Sequence, residues 1–210
     1  MNKDILAAQL FDQVRDQNET VLWAERPAFL PFLASGVPFL ILGVIWFSID
    51  FFGFIYPMLI GERHIPSGFT GFMIPFFALH LFPFWGSLLN MLRLSLVHKN
   101  TAYAITTRRA MFRGGLWGIS YESIDFDRIT DLQVNVGLLE KSIGAGTIQI
   151  STTGVSAKTP ISKNFIGVSD PYDVFKEIKK VSLDVKTDFE YPNKLRPEAN
   201  PGYKTAYSGQ

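Results

Sequence analysis

The sequence predicts a two-helix membrane hairpin followed by a small mainly-β barrel or sandwich that one C-terminal helix closes. Three observations carry that expectation. Pro27 to Ile49 and Ile65 to Leu92 are runs of 23 and 28 residues without a formal charge, counting His80 as neutral, and about 20 predominantly apolar residues in helix suffice to cross a bilayer. After Lys99 the chain changes to short segments in which apolar and polar residues alternate, the period of half-buried strands. Beyond Asp170 apolar residues recur at helical spacing. Two helices apolar on every face would be hard to wrap with what remains of 210 residues, so burial in a soluble core is the poorer reading.

Composition narrows the function classes. There is no cysteine, which excludes disulfides, thiolate metal sites and cysteine nucleophiles and fits a module facing the cytoplasm. The net charge of +1 divides unevenly. Residues 1–26 carry three Lys/Arg against five Asp/Glu, whereas residues 93–187 carry 13 against 9. The first 26 residues lack the basic start and apolar centre of a cleavable signal, so the first span is expected to serve as its own uncleaved anchor.

In chain order, Ile5, Leu6, Leu10, Phe11 and Val14 suggest a short amphipathic helix within a cytoplasmic segment 1–26. Its polar face is acidic, which favours docking on the chain's own soluble part over a bilayer surface. Trp23 is expected as an interfacial anchor ahead of the hairpin, residues 27–92. The first span is placed between about Leu30 and Phe52, with Asp50 near its boundary, because a carboxylate at a helix centre costs about 2.5–3.5 kcal/mol. A helix starting nearer Pro38 and running past Asp50 is the alternative. Gly61 to Gly68 is the connecting loop, and Phe69 to Leu92 the second span, bent by Pro75 and Pro83. Lys and Arg lie mainly outside that loop, so both termini are expected in the cytoplasm.

Strands are expected around Tyr103 and Ile105, Ile119 and Tyr121, Leu132 to Val136, and Ile148 and Ile150, with one or two more over Ser156 to Val168. Gly114-Gly115, Gly137, Gly144 to Gly146, and Thr153-Gly154 supply the turns. Asp170 and Pro171 then open a helix with Tyr172, Phe175, Ile178 and Val181 on one stripe, which completes a domain at residues 93–186. The proline-containing tail, residues 187–210, is expected to be disordered or draped over a partner.

Several of these pieces also occur as motifs in a fixed order: Glu25-Arg26-Pro27 ahead of the hairpin, YAITTRR from Tyr103 to Arg109, Gly114, DRITDL from Asp127 to Leu132, IGAGTI from Ile143 to Ile148, and VSDPYDV from Val168 to Val174. Over roughly residues 18–183 this order resembles the bacterial pleckstrin-homology-like (bPH) family of membrane-anchored proteins. The resemblance implies a PH-like barrel with a C-terminal capping helix on the cytoplasmic face. It implies no defined activity. The long lysine-rich first loop of phosphoinositide-binding PH domains is missing, so the fold name brings no headgroup specificity with it.

Enzymatic constellations are thin. His64, His80 and His98 fall in the loop, in the second span and at its cytoplasmic exit, too far apart to share a metal or a triad. Within the span, His80 is expected to hydrogen-bond the neighbouring helix. Gly144-Ala-Gly146 lacks the lysine and following helix of a phosphate loop and reads as a bend. Arg108, Arg109 and Arg113, flanked by Lys99 and Arg93, form the one basic concentration, expected near the leaflet as the candidate lipid-binding patch. Asp125, Asp127 and Asp131 interrupt that charge and argue against nucleic acid.

Phe112, Leu116 and Trp117 are the candidate partner-binding residues, read as an exposed aromatic patch or as residues facing the bilayer. The function expected is therefore a non-enzymatic docking or assembly module in the bacterial inner membrane, multi-pass, without metal or cofactor. Its partners are the bilayer and another membrane protein or a second copy of itself. Sensing of anionic lipid headgroups is the alternative.

Overall fold

A computed structural model describes residues 4–61, 68–153 and 160–190. The elements in chain order are helix α1 (Ile5–Gln9), strand β1 (Val21–Glu25), and helices α2 (Phe29–Ala34), α3 (Val37–Leu59), α4 (Thr70–His80) and α5 (Phe82–Asn100). There follow β2 (Ala102–Thr106), β3 (Arg109–Gly114), β4 (Ser120–Asp125), β5 (Ile129–Asn135), α6 (Leu138–Ser142), β6 (Ala145–Thr153), β7 (Pro160–Ser169) and α7 (Pro171–Glu190). The chain divides into two units. One comprises residues 1–32 together with 97–210, and the other residues 33–96.

The first unit holds two antiparallel sheets, β1-β2-β3-β4 and β5-β6-β7. Their inner faces and α7 enclose one core built on Trp23, Ile105, Phe126, Ile148, Phe165 and Ile178. Within α7 the buried stripe is Val174, Ile178, Val181 and Val185. The expected stripe contained Tyr172 instead, which is exposed. The Ser182 hydroxyl donates to the Phe126 carbonyl (3.1 Å) and Lys186 Nζ to the Ile129 carbonyl (2.6 Å), so the capping helix also satisfies backbone acceptors at the sheet ends. It runs to Glu190, past the expected start of the tail; the rest of that tail lies outside the described residues.

Ahead of the apolar runs, Val21–Glu25 is a strand of the first sheet, with Glu25 opposite Tyr103 and Val21 opposite Thr106. Trp23 is accordingly 2% exposed and packs on Phe165 with ring centroids 5.9 Å apart. The expectation of an interfacial anchor at Trp23 is corrected: its ring is core, because β1 turns that face inward. The N-terminal helix docks on the same domain as expected. Ala7, Ala8 and Phe11 are buried in a second cluster with Val21, Ala24, Ala104 and Met111, and Asp4 caps α1 by accepting from the N–H groups of Leu6 and Ala7.

The outgoing and returning segments are tied within this unit. His98 Nε2 lies 2.8 Å from the Pro27 carbonyl, with the Phe29 and Phe32 rings edge-on to the imidazole. Gly167 has φ +71°, and a Cβ there would meet the Phe32 nitrogen at 2.9 Å. Glycine is therefore required where α2 crosses β7.

In the second unit, α3 is a single helix of 23 residues with the length and apolarity of a bilayer span. It starts near Pro38 and passes Asp50, so the alternative boundary describes it better than Leu30 to Phe52. A π-helical turn, Phe51–Ile55, follows Asp50 directly. Helices α4 and α5 combine that length and apolarity only as a pair, bent by 48° at Leu81. The bend falls where Pro83 opens α5, and Pro75 is accommodated inside α4. Arg63 and His64 lie outside the described residues.

Helix α3 approaches α5 closely at Gly43, where a Cβ would meet the Ser87 hydroxyl and would sit 2.8 Å from the Pro83 carbonyl. Small residues permit such approach where lipid provides no hydrophobic drive. Gly43→Val is expected to force the helices apart, at a cost of about 1–3 kcal/mol. Unfolding of the detergent-solubilised protein checks this; an unchanged midpoint would contradict the contact.

Candidate functional site

The three arginines occupy positions that their spacing in the sequence did not reveal. Arg109 opens β3, and its guanidinium meets Glu19, which is 1% exposed. Nη2 donates to Oε2 at 2.8 Å and Nε to Oε1 at 3.0 Å, and the Thr106 hydroxyl donates to Oε1 at 2.6 Å. Burial pushes the Glu19 carboxyl upward, but bonds from Arg109, Thr106 and the Asp16 N–H outweigh it, leaving the pKa below its ordinary value. Hydrogen bonds from Arg109 to Glu19, partly offset by burial, hold the Arg109 pKa above its ordinary value.

Arg108 lies 3.6 Å from Asp16, and Arg113 donates to the Asn100 carbonyl at 2.7 Å with its guanidinium over the Tyr121 ring. The basic concentration is thus largely turned inward to bind the N-terminal segment and the end of α5. Val14, Arg109, Met111, Tyr121, Glu122 and Ser123 line an open cleft of about 220 Å³ beside it.

Strand direction separates the arginines further. Glu25 pairs with Tyr103 and Ala102 with Arg113, so the end of β1, the start of β2 and the end of β3 share one end of the domain. Chain leaves the domain there after Phe32 and returns at Val97. Arg108 follows β2 at the opposite end, one strand of roughly 14 Å away. The three arginines expected as one basic concentration are therefore split between the two ends of β2. A five-residue strand intervenes.

Of the candidate partner-binding residues, Phe112 is 8% exposed and packs into the core edge-on to Tyr103 and tilted against Phe165. It belongs to no surface patch, since alternation in β3 points it inward. Leu116 is half-buried in the β3–β4 turn, and Trp117 is 94% exposed at its tip.

In the helical unit His80 does face a neighbouring helix as expected, and its neighbour there is Asp50, a partner that the sequence did not identify. Asp50 is 5% exposed, and its Oδ2 has no hydrogen-bond partner among the described residues; His80 Nε2 stands 3.4 Å away. Trp46 Nε1 donates to the His80 carbonyl (3.1 Å), and Phe76 stacks on the imidazole. Asp50 therefore sits inside α3 rather than at its boundary, facing another helix. Inward orientation reduces the cost that its position would otherwise carry.

Two sheets of four and three antiparallel strands, closed by a C-terminal helix and interrupted between the first two strands by apolar helices, define a PH-like module. The chain belongs to the bacterial PH domain family, whose model matches residues 29–182. Among solved structures it is similar to a DUF1696-family protein with a pleckstrin-homology domain from Shewanella loihica, at 18% identity over 39% of this chain and 71% of that one, with a TM-score of 0.29. It is also similar to a pleckstrin homology domain from Shewanella amazonensis, at 20% identity over 40% of this chain and 76% of that one, with a TM-score of 0.29. No curated protein matches the chain.

Proposed function

We propose that the chain is a non-enzymatic docking module of the bacterial inner membrane. In this reading α3 and the α4–α5 pair cross the bilayer, both termini lie in the cytoplasm, and the PH-like domain receives another integral membrane protein or a second copy of the chain. The observation that carries it is α3, a 23-residue apolar helix whose large side chains, among them Ile41, Leu42, Ile45 and Phe52, are left uncovered by the chain itself. Water is a poor solvent for that surface and lipid a good one. Confinement to the same membrane raises the effective concentration of the domain for a membrane partner.

Headgroup sensing by Arg108, Arg109 and Arg113 has less support. Arg109 is engaged by a buried carboxylate, and Arg108 lies at the opposite end of β2 from Arg113. The tagged full-length chain should stay with membranes through a high-salt wash and, after gentle solubilisation, retain a stoichiometric membrane protein or copy of itself. Recovery in a detergent-free fraction as a monodisperse species would overturn the anchor. A membrane-bound chain that elutes alone as a monomer would overturn the docking role.

A further inference from the structure

The end of the domain from which the chain departs carries apolar side chains that the core does not use. The β3–β4 turn arrives there because Ala102 pairs with Arg113. The β5–β6 connection arrives there by an independent route. Ser169 N–H donates to Glu25 Oε1 at 3.0 Å, Ser169 pairs with Ala145, and Thr147 pairs with Asn135, so the connection containing α6 lies at the end defined by Glu25.

Both tips are greasy. The segment from Gly114 to Ile119 has no charge, Trp117 is 94% exposed at its apex, and Ile119 is exposed beside it. On α6, Leu138 is 91% exposed, and Leu139 is exposed with it, as is Ile143 directly after the helix. Leu30, leaving the domain on α2, is exposed at the same end.

Each tip is also held in place. Asn100 Nδ2 donates to the Gly115 carbonyl at 3.0 Å, which ties the first turn to the end of α5. Glu140 folds back on α6, accepting from the Gly137 N–H at 2.8 Å and from the Thr147 hydroxyl at 2.9 Å, so the carboxylate of that turn is occupied internally. Exposed cations flank the end at Arg26, Lys99 and Lys141. The rim is mixed in charge, with Asp4, Glu25 and Asp170 close to one another at the same end, so the rigid apolar pair of tips carries the likeness to the lipid interface, where Trp and Leu lie at acyl-chain depth and nearby Lys and Arg reach phosphate.

We infer that this end of the domain is a membrane-seating surface in which the Trp117 turn and the Leu138-Leu139 turn of α6 dip into the cytoplasmic leaflet. The occupant is the bilayer itself. Chain continuity puts it there, because the segment leaving through Phe32 reaches the apolar helix at Val37 within a few residues. The inference rests on the membrane reading proposed above and adds a fixed orientation of the domain, with the Arg108 end turned to the cytoplasm. An interface of this kind needs no specific headgroup.

The absence of cysteine makes the test direct, since any introduced thiol is the only one. Single variants Trp117→Cys, Leu138→Cys, Ile45→Cys and Arg128→Cys of the full-length chain are labelled with an environment-sensitive fluorophore and reconstituted into vesicles. Quenching by lipid-borne nitroxide is compared with quenching by aqueous iodide. Ile45, exposed on α3, reports whether the helices are in lipid, and Arg128, exposed beyond β4, reports the opposite end.

The expected result is strong nitroxide quenching and several-fold weaker iodide quenching at 117 and 138, as at 45, with the reverse at 128. Lipid contact at 45 combined with free iodide access at 117 or 138 would overturn the seating surface and leave the anchor standing. Loss of lipid contact at 45 would overturn the anchor and the seat with it. Shielding from both quenchers at 117 and 138 would identify a protein occupant and also overturn the proposal.

Discussion

Arg109→Gln is expected to lower the stability of the domain by about 3 kcal/mol, read as a drop in the unfolding midpoint. Removing one partner of a buried pair leaves the other charge without compensation, which costs about 3–5 kcal/mol. Glu19 is almost fully buried, whereas the Arg109 side chain is 20% exposed, so the lower end of that range applies. The Gln side chain can keep one hydrogen bond but brings no charge.

The loss should depend on pH in a definite direction. The folded-state pKa of Glu19 is lowered, so the pair contributes fully above the unfolded carboxyl value of about 4.3. That contribution disappears as pH falls through the folded value. Wild type and variant should therefore differ most near neutral pH and converge in acid. An unchanged midpoint at neutral pH, together with weakened vesicle binding, would instead assign Arg109 to lipid.

His80→Leu is expected to cost about 1–3 kcal/mol in the helical unit, measured by unfolding of the full-length chain in detergent, because a buried acceptor loses its nearest polar neighbour. The substitution preserves apolar volume but removes the imidazole nearest to a buried Asp50 whose Oδ2 is otherwise unbonded. Replacing both members, Asp50→Leu with His80→Leu, should recover most of the loss, because an apolar pair of similar volume pays no desolvation penalty. A double variant no more stable than the single one would show that His80 is held by its Trp46 and Phe76 contacts rather than by the carboxylate. The π turn directly after Asp50 makes this the most irregular point of α3.

The sequence by itself determined the features that local periodicity encodes. Uncharged length identified the helices of the second unit, alternation located most of the strands, and Pro171 marked the start of the closing helix. Arg109–Gly114 and the short helix at Leu138 were not distinguished, because a glycine-flanked stretch of mixed residues has no dominant period.

Only the tertiary structure decided what pairs with what. Val21–Glu25 is a strand because Ala102–Thr106, on the far side of the apolar helices, provides its hydrogen-bond partners. That register buries Trp23, and β3's alternation buries Phe112, although both read as surface aromatics in isolation. Glu19 and Arg109 are 90 positions apart, and Asp50 meets a histidine on another helix, so neither cluster leaves a local trace. A side chain's periodicity shows which face it shares with its neighbours, but the fold brings the opposing charge to it and decides whether a cation is committed inside the protein or left for a ligand.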